Sequence, residues 1–157
     1  MAITELYIFS VFIVSGFLQT VTGFGYALIT APLLAFVLEA KETVMLVMIT
    51  GLIIRLFLIR VIKNHGSFKT ILPLITASVI GAIPGAYIMS TASSQDLKIF
   101  IGVVLLFAAL ALWKNISIPI KQSKFAETIV GAISGFLATT TSINGPPVVM
   151  YYLNAKA

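Results

Sequence analysis

The sequence predicts an all-α fold, a polytopic transmembrane helical bundle built from duplicated repeats with broken helices. Hydrophobic residues make up 59% of the 157 residues and charged residues only 10%, whereas soluble domains have roughly 45–50% and about 25%. The few charges are grouped, and long uncharged runs between them have the character of membrane spans. A near-repeat indicates the duplication, because the segment Ser15–Thr22 (SGFLQTVT) recurs as Ser134–Thr141 (SGFLATTT).

The first apolar run is too long for one simple span. From Leu6 to Leu38 it would form a straight helix of about 50 Å, since a helix rises about 1.5 Å per residue and the hydrocarbon core is about 30 Å thick. Gly23, Gly25 and Pro32 interrupt this run. We therefore expect a broken helix over residues 4–38, followed by spans at about 43–61, 70–91 and 97–113, and these elements form a first repeat over residues 1–113.

The distribution of Lys and Arg predicts the topology. Residues 114–124 form a basic connection, which the positive-inside tendency places in the cytoplasm. Residues 125–157 then start a second repeat, broken at Asn144–Pro147, that is incomplete in this chain. The absence of Lys and Arg before Lys41 favours inverted over parallel repeats, and the orientation of the N-terminus stays open.

The two breaks are the predicted binding region. An interrupted membrane helix exposes N–H groups that hold an anion, and duplicated broken helices build such sites in many secondary transporters. Hydroxyls, amides and glycines at both breaks add donors and allow close approach of a ligand, although the same small residues also let helices pack closely. Arg55 is the candidate cation, with snorkelling to the interface as its alternative role. The candidate substrate-binding residues are Gln19, Thr20, Thr22, Gly23, Phe24 and Gly25 at the first break, Thr139, Thr141, Ser142, Asn144, Gly145 and Pro146 at the second, and Arg55.

Several function classes do not fit the sequence. The net charge of +5 comes from short connections beside apolar spans, so we expect no nucleic-acid partner. The chain has no cysteine, no zinc-protease motif, no nucleophile elbow and no carboxylate pair inside a span. We therefore expect no enzyme activity, no metal site and no cofactor.

Two motifs carry a resemblance to a known family. The segment GFGYALI at residues 23–29 resembles the opening motif of the sulfite exporter TauE/SafE family, also called the toluene sulfonate uptake permease family. The segment GAISGFL at residues 131–137, with Asn144-Gly145-Pro146-Pro147 after it, is similar to that family's second signature. The resemblance implies the N-terminal portion of a longer transporter of small, often sulfur-containing anions such as sulfite, sulfonates or sulfoacetate-like compounds.

The expected function is transport of such an anion by alternating access, in a multi-pass protein of the bacterial inner membrane. Its partners would be membrane lipid, the small anionic substrate and a possible coupling ion, while homo-oligomer formation stays open. Two alternatives compete with a transporter: an anion channel that uses the same breaks as a filter, and a truncated membrane subunit that depends on a partner. The sequence leaves the identity of the anion and the direction of transport open.

Overall fold

The computed structural model describes residues 2–22, 25–62, 68–114 and 123–154. Within these ranges the chain forms seven α-helices and no β-strand. They are α1 (Ala2–Thr22), α2 (Tyr26–Ala35), α3 (Ala40–Ile62), α4 (Phe68–Thr91), α5 (Ser94–Trp113), α6 (Lys124–Thr141) and α7 (Gly145–Asn154). Most of the basic connection at 114–124 lies outside the described residues.

Three described helical segments have the length and apolar composition to cross a membrane, namely Ile3–Val21, Leu72–Thr91 and Ser94–Trp113. Their large apolar side chains are widely exposed, as at Phe17 (69%) and Phe107 (69%). Such exposure is unfavourable in water but matches a lipid environment. The predicted all-α helical membrane bundle is thus confirmed.

Local sequence signals set several helix ends. At the start of α5, the Ser93 hydroxyl accepts a hydrogen bond from the Asp96 backbone N–H at 3.1 Å, and Ser123 caps α6 by the same contact with the Ala126 N–H at 3.1 Å. Such caps satisfy backbone donors that a helix cannot pair internally. The cap at Ser93 explains why α5 begins at Ser94, three residues before the expected start at 97.

One apolar core joins α1, α2, α3 and α5. Its fully buried members include Leu34, Val44 and Leu97, and Ile143 reaches it from the segment between α6 and α7. Polar contacts connect the same elements: the Tyr7 hydroxyl donates to the Leu33 carbonyl at 3.0 Å, and the Ser142 hydroxyl donates to the Val44 carbonyl at 3.0 Å. The segment between α6 and α7 is thereby held against α3.

Helices α4 and α6 pack closely enough for their backbones to touch. A Cβ on Gly135 would lie 2.7 Å from the Cα of Ser78, and a Cβ on Gly131 would lie 2.6 Å from the Leu74 carbonyl oxygen. Gly81 faces the backbone of Ala132 in the same way. Small residues permit this approach between membrane helices, so α4, α6 and the α7 that follows form one side of the bundle.

Candidate functional site

The first interruption of the helices lies between α1 and α2. α1 ends at Thr22, and α2 begins at Tyr26 after Gly25, whose φ of 104° is in the left-handed region that favours glycine. The buried Gln19 side chain reaches back across this interruption, and its Oε1 accepts a hydrogen bond from the Tyr26 N–H at 3.2 Å. The amide of Gln19 therefore satisfies one of the unpaired donors at the start of α2.

The second interruption lies between α6 and α7. Ser142 ends α6 with a φ of 61°, and the Ile143 N–H donates to the Thr141 hydroxyl at 3.2 Å. The Ser134 hydroxyl donates to the backbone carbonyl of Asn144 at 2.8 Å. Short side chains thus satisfy the backbone where the helix stops, in place of the water that a bilayer lacks.

A cavity of about 700 Å³ lies between the two interruptions. Its walls come from two groups of helices, with α1, α2 and α3 on one side and α4, α6 and α7 on the other. The lining residues of the first group are Gln19, Gly25, Ala27, Met48, Leu52 and Arg55, and those of the second are Leu74, Ser78, Val79, Ala82, Ser134, Gly135, Ala138, Thr139, Asn144, Gly145, Val148 and Val149.

A hydrogen bond between Arg55 and Asn144 connects the two walls. Arg55 Nη2, on α3, donates to Asn144 Oδ1 at 3.0 Å. Of the described residues that line the cavity, Arg55 alone carries a charge. A second, smaller cavity of about 270 Å³ is lined by both residues as well, and also by Tyr26 and Ser142. The Arg55–Asn144 pair therefore stands where the two cavities adjoin.

The structure gives the predicted residues three different placements. Gln19, Gly25, Arg55, Thr139, Asn144 and Gly145 line the larger cavity, and Ser142 lines the smaller one. Thr20, Thr141 and Pro146 line neither. The exposed Thr20 hydroxyl donates to the Gly16 carbonyl of its own helix at 2.9 Å, and the buried Thr141 hydroxyl donates to the Leu137 carbonyl at 2.8 Å. Gly23, Phe24 and the side chain of Thr22 lie outside the described residues.

Several residues of the cavity are not among those predicted from the sequence. Ser134 belongs to the near-repeat and could have been found there, because it occupies the position that Ser15 holds in the first copy. Ser78 and Met48 carry no comparable signal in the sequence, and only the packing of α4 and α3 brings them to the cavity. Among the described residues, no group of three His, Cys, Asp or Glu side chains is placed to hold a metal ion.

The polar side chains of the cavity include both donors and acceptors, and the hydroxyls among them have their protons bonded within the protein. The Thr139 hydroxyl donates to carbonyls of its own helix and lies 3.3 Å from the Ala82 carbonyl of α4. The hydroxyls of Ser78 and Ser134 also donate to backbone carbonyls. These protons are engaged, so the Arg55 guanidinium and the amide groups of Gln19 and Asn144 are the side-chain groups left to donate to a ligand.

Comparison with known families identifies the family of this chain. The model of the family described as Sulfite exporter TauE/SafE matches residues 8–157, nearly the whole chain. A search of curated proteins and a search of solved structures gave no significant match. The match includes both interruptions, both walls of the cavity and the Arg55–Asn144 pair. The chain belongs to the sulfite exporter TauE/SafE family, a family of membrane transporters for sulfur-containing anions.

Proposed function

We propose that this protein is a multi-pass transporter of the bacterial inner membrane that moves a small sulfur-containing anion by alternating access. The anion binds in the cavity between the two helix interruptions. Sulfite, sulfonates and sulfoacetate-like compounds are the substrate class, in line with the family to which the chain belongs.

The observation that carries this proposal is the position of Arg55. Its guanidinium lines the cavity between the interruptions and is held there by Asn144 Oδ1 at 3.0 Å. A cation in an apolar membrane segment is costly, and such residues usually serve a substrate or an ion path. The larger cavity has no Asp or Glu among its described lining residues, so its wall favours an anion over a cation.

The ends of two short helices support the same conclusion. Gly25 and Ala27, at the start of α2, and Gly145, at the start of α7, all line the cavity. Helix N-termini carry partial positive charge and unpaired N–H groups. The Tyr26 N–H of α2 is already bonded to Gln19, and Pro146 and Pro147 of α7 have no N–H, so these ends contribute mainly their partial positive charge beside the guanidinium.

The apolar part of the wall suits an organic substituent. Met48 and Leu52 lie on one wall, and Val79, Val148 and Val149 lie on the other. A volume of about 700 Å³ lies in the range typical of small-ligand sites, about 300–1,000 Å³. A sulfonate with a short carbon chain can place its charged oxygens at Arg55 and its chain against these side chains.

The arrangement of two walls around one cavity supports alternating access. The close backbone packing of α4 on α6 would let these two helices move as a unit, and α1, α2 and α3 pack in the apolar core that α5 and Ile143 also join. The Arg55–Asn144 hydrogen bond joins the two sides across the cavity. Rocking of one side against the other around the bound anion would break and remake this contact.

Transport by the full chain in proteoliposomes tests the proposal. We expect labelled sulfite or methanesulfonate to be taken up, uptake to be accelerated by unlabelled anion on the opposite side, and uptake to be lost in Arg55→Ala. Ser10→Ala is the matched control, because this exposed hydroxyl only bonds the Leu6 carbonyl of its own helix at 2.8 Å. Anion flux without acceleration from the opposite side would indicate a channel instead, and unaltered uptake by Arg55→Ala would refute the proposed site.

A further inference from the structure

Tyr26, the first residue of α2, is buried and is bonded to two other helices. Its backbone N–H donates to Gln19 Oε1 of α1 at 3.2 Å, and its hydroxyl donates to Thr50 Oγ1 of α3 at 2.6 Å. The Thr50 hydroxyl in turn donates to the Leu46 carbonyl of its own helix at 2.6 Å. Tyr26 therefore joins the first helix interruption to the helix that carries Arg55.

The ring of Tyr26 and the guanidinium of Arg55 lie beside the same small residue of α3. A Cβ on Gly51 would lie 3.6 Å from Tyr26 Cδ1 and Cε1 and 3.7 Å from Arg55 Nη1. Tyr26 and Arg55 also line the smaller cavity together with Asn144, which accepts the hydrogen bond from Arg55 Nη2. The guanidinium thus has Asn144 at one terminal nitrogen, and its other terminal nitrogen lies at the space that Gly51 leaves beside the Tyr26 ring.

Arg55 depends on such neighbours for its position. An arginine side chain is long and rich in rotamers, and Arg55 is exposed in this chain. None of the described residues that line either cavity is an Asp or Glu that could pair with it. The hydrogen bond to Asn144 fixes one terminal nitrogen, and a ring that cannot move away limits where the rest of the guanidinium can go.

We propose that Tyr26 is a positioning residue for Arg55, so that its ring holds the guanidinium where the anion meets it. This inference rests on the proposed function and adds a residue to the same site. Tyr26 has one hydroxyl proton, and Thr50 accepts it, so the Tyr26 side chain has no donor of its own for the anion. Its effect on the anion therefore passes through Arg55.

Two tyrosine substitutions test the inference in proteoliposomes of the full chain. Tyr26→Phe keeps the ring and removes the hydroxyl that meets Thr50, so we expect the KM for methanesulfonate uptake to rise about fivefold, as for the loss of one ordinary hydrogen bond. The maximal rate per folded protein should not change. Tyr7→Phe is the matched control, because the Tyr7 hydroxyl also joins two helices, through the Leu33 carbonyl at 3.0 Å, but Tyr7 lines neither cavity. We expect this control to lose a similar amount of thermal stability and to keep its KM.

The same substitution in a second background separates positioning from packing. Arg55→Lys keeps the positive charge but has no planar guanidinium for the ring to hold. If Tyr26 acts through Arg55, the two substitutions are not additive. We therefore expect Tyr26→Phe to raise the KM in the otherwise unaltered protein and to change it less than about twofold when Arg55→Lys is already present.

Gly51 offers an independent measurement. Gly51→Ala adds only a Cβ at ordinary contact distance from the ring and from the guanidinium, so we expect no change in KM. Gly51→Leu adds further atoms to the space that these two groups share, and one of them must move. We expect its KM to rise at least about fivefold, with melting temperatures in detergent showing that both variants are folded.

The outcomes separate the two proposals. An unchanged KM in Tyr26→Phe or in folded Gly51→Leu, or an equal effect of Tyr26→Phe in both backgrounds, would overturn the positioning role while leaving the anion site at Arg55 in place. An equal rise in KM for Tyr7→Phe would overturn it as well, since any lost contact between helices would then have the same effect. Failure of the unaltered protein to take up methanesulfonate would contradict the proposed function and overturn this inference with it.

Discussion

Replacement of Gly81 by Ala should separate α4 from α6 and destabilise the protein. A Cβ at this position would lie 2.7 Å from the carbonyl carbon of Ala132 and 2.8 Å from its Cα, and it would meet the Ala132 carbonyl oxygen even more closely. Ordinary contacts of a Cβ begin at 3.4 Å, so the two backbones must move apart by about 0.7 Å or more. The obstacle is backbone rather than the flexible end of a side chain, so it cannot turn away.

The expected cost follows from this geometry. Overpacking of a tight contact typically costs about 1–3 kcal/mol, and we expect the upper half of that range because two helices must shift together. At about 2–4 °C per kcal/mol for a chain of this size, the melting temperature falls by several degrees. Thermal unfolding in detergent, followed by size-exclusion chromatography of the heated samples, measures the change.

Gly102→Ala on α5 is the matched control. A Cβ at Gly102 would meet nothing within 4 Å, and Ala favours a helix interior over Gly by about 0.5–1 kcal/mol. We therefore expect this control to be as stable as the unaltered protein or slightly more stable. If Gly81→Ala proves as stable as Gly102→Ala, the close packing of α4 on α6 is refuted.

Three further predictions concern the cavity and a helix cap. Arg55→Ala should lower anion uptake about 10–100-fold, because it removes the one charged donor among the described residues that line the cavity. Uptake by Arg55→Lys should lie between that of the unaltered protein and that of Arg55→Ala; equal uptake by all three proteins would contradict a role for Arg55. Gly25→Leu should lower the free energy of unfolding by about 1–2 kcal/mol, because Leu is strained in the left-handed backbone conformation of Gly25. It should also lose most of its anion uptake, because the Leu side chain would occupy part of the cavity. Normal uptake together with a normal melting temperature would argue against that backbone conformation. Ser93→Ala should lower the free energy of unfolding by about 0.5–2 kcal/mol, since it removes the hydroxyl that accepts a hydrogen bond from the Asp96 N–H. Uptake per folded protein should stay unchanged. A loss of uptake without a loss of stability would count against a purely structural cap.

The composition of the chain predicts the fold class, and its motifs predict the family. Long uncharged runs predict membrane helices because an unpaired charge is costly in lipid, and the all-α membrane bundle is confirmed. The segments GFGYALI and GAISGFL are local features of the chain, and the family that they resemble matches residues 8–157. The duplicated and inverted arrangement of the repeats stays a prediction.

The site was only partly accessible from the sequence. The sequence predicts Gln19 and Asn144 as site residues because they are polar and lie near small-residue breaks, and Arg55 because it is a charge in an apolar run. All three line the cavity. Thr20 follows Gln19 directly, yet its exposed hydroxyl bonds its own helix. Neighbouring residues of a helix point about 100° apart, so a motif selects a stretch of chain and cannot select which of its faces meets a ligand.

The sequence by itself determined that this is a helical membrane protein of the sulfite exporter TauE/SafE family, because lipid requires long apolar segments and a family motif is local. Only the tertiary structure decided that Arg55 of α3 meets Asn144, 89 positions along the chain. It also decided that the oxygens of Gln19 and Asn144 turn to donors of the protein. Both contacts depend on how α3 packs beside α6 and α2 beside α1, and helix packing is set by side chains distant in sequence that close backbone approach brings together.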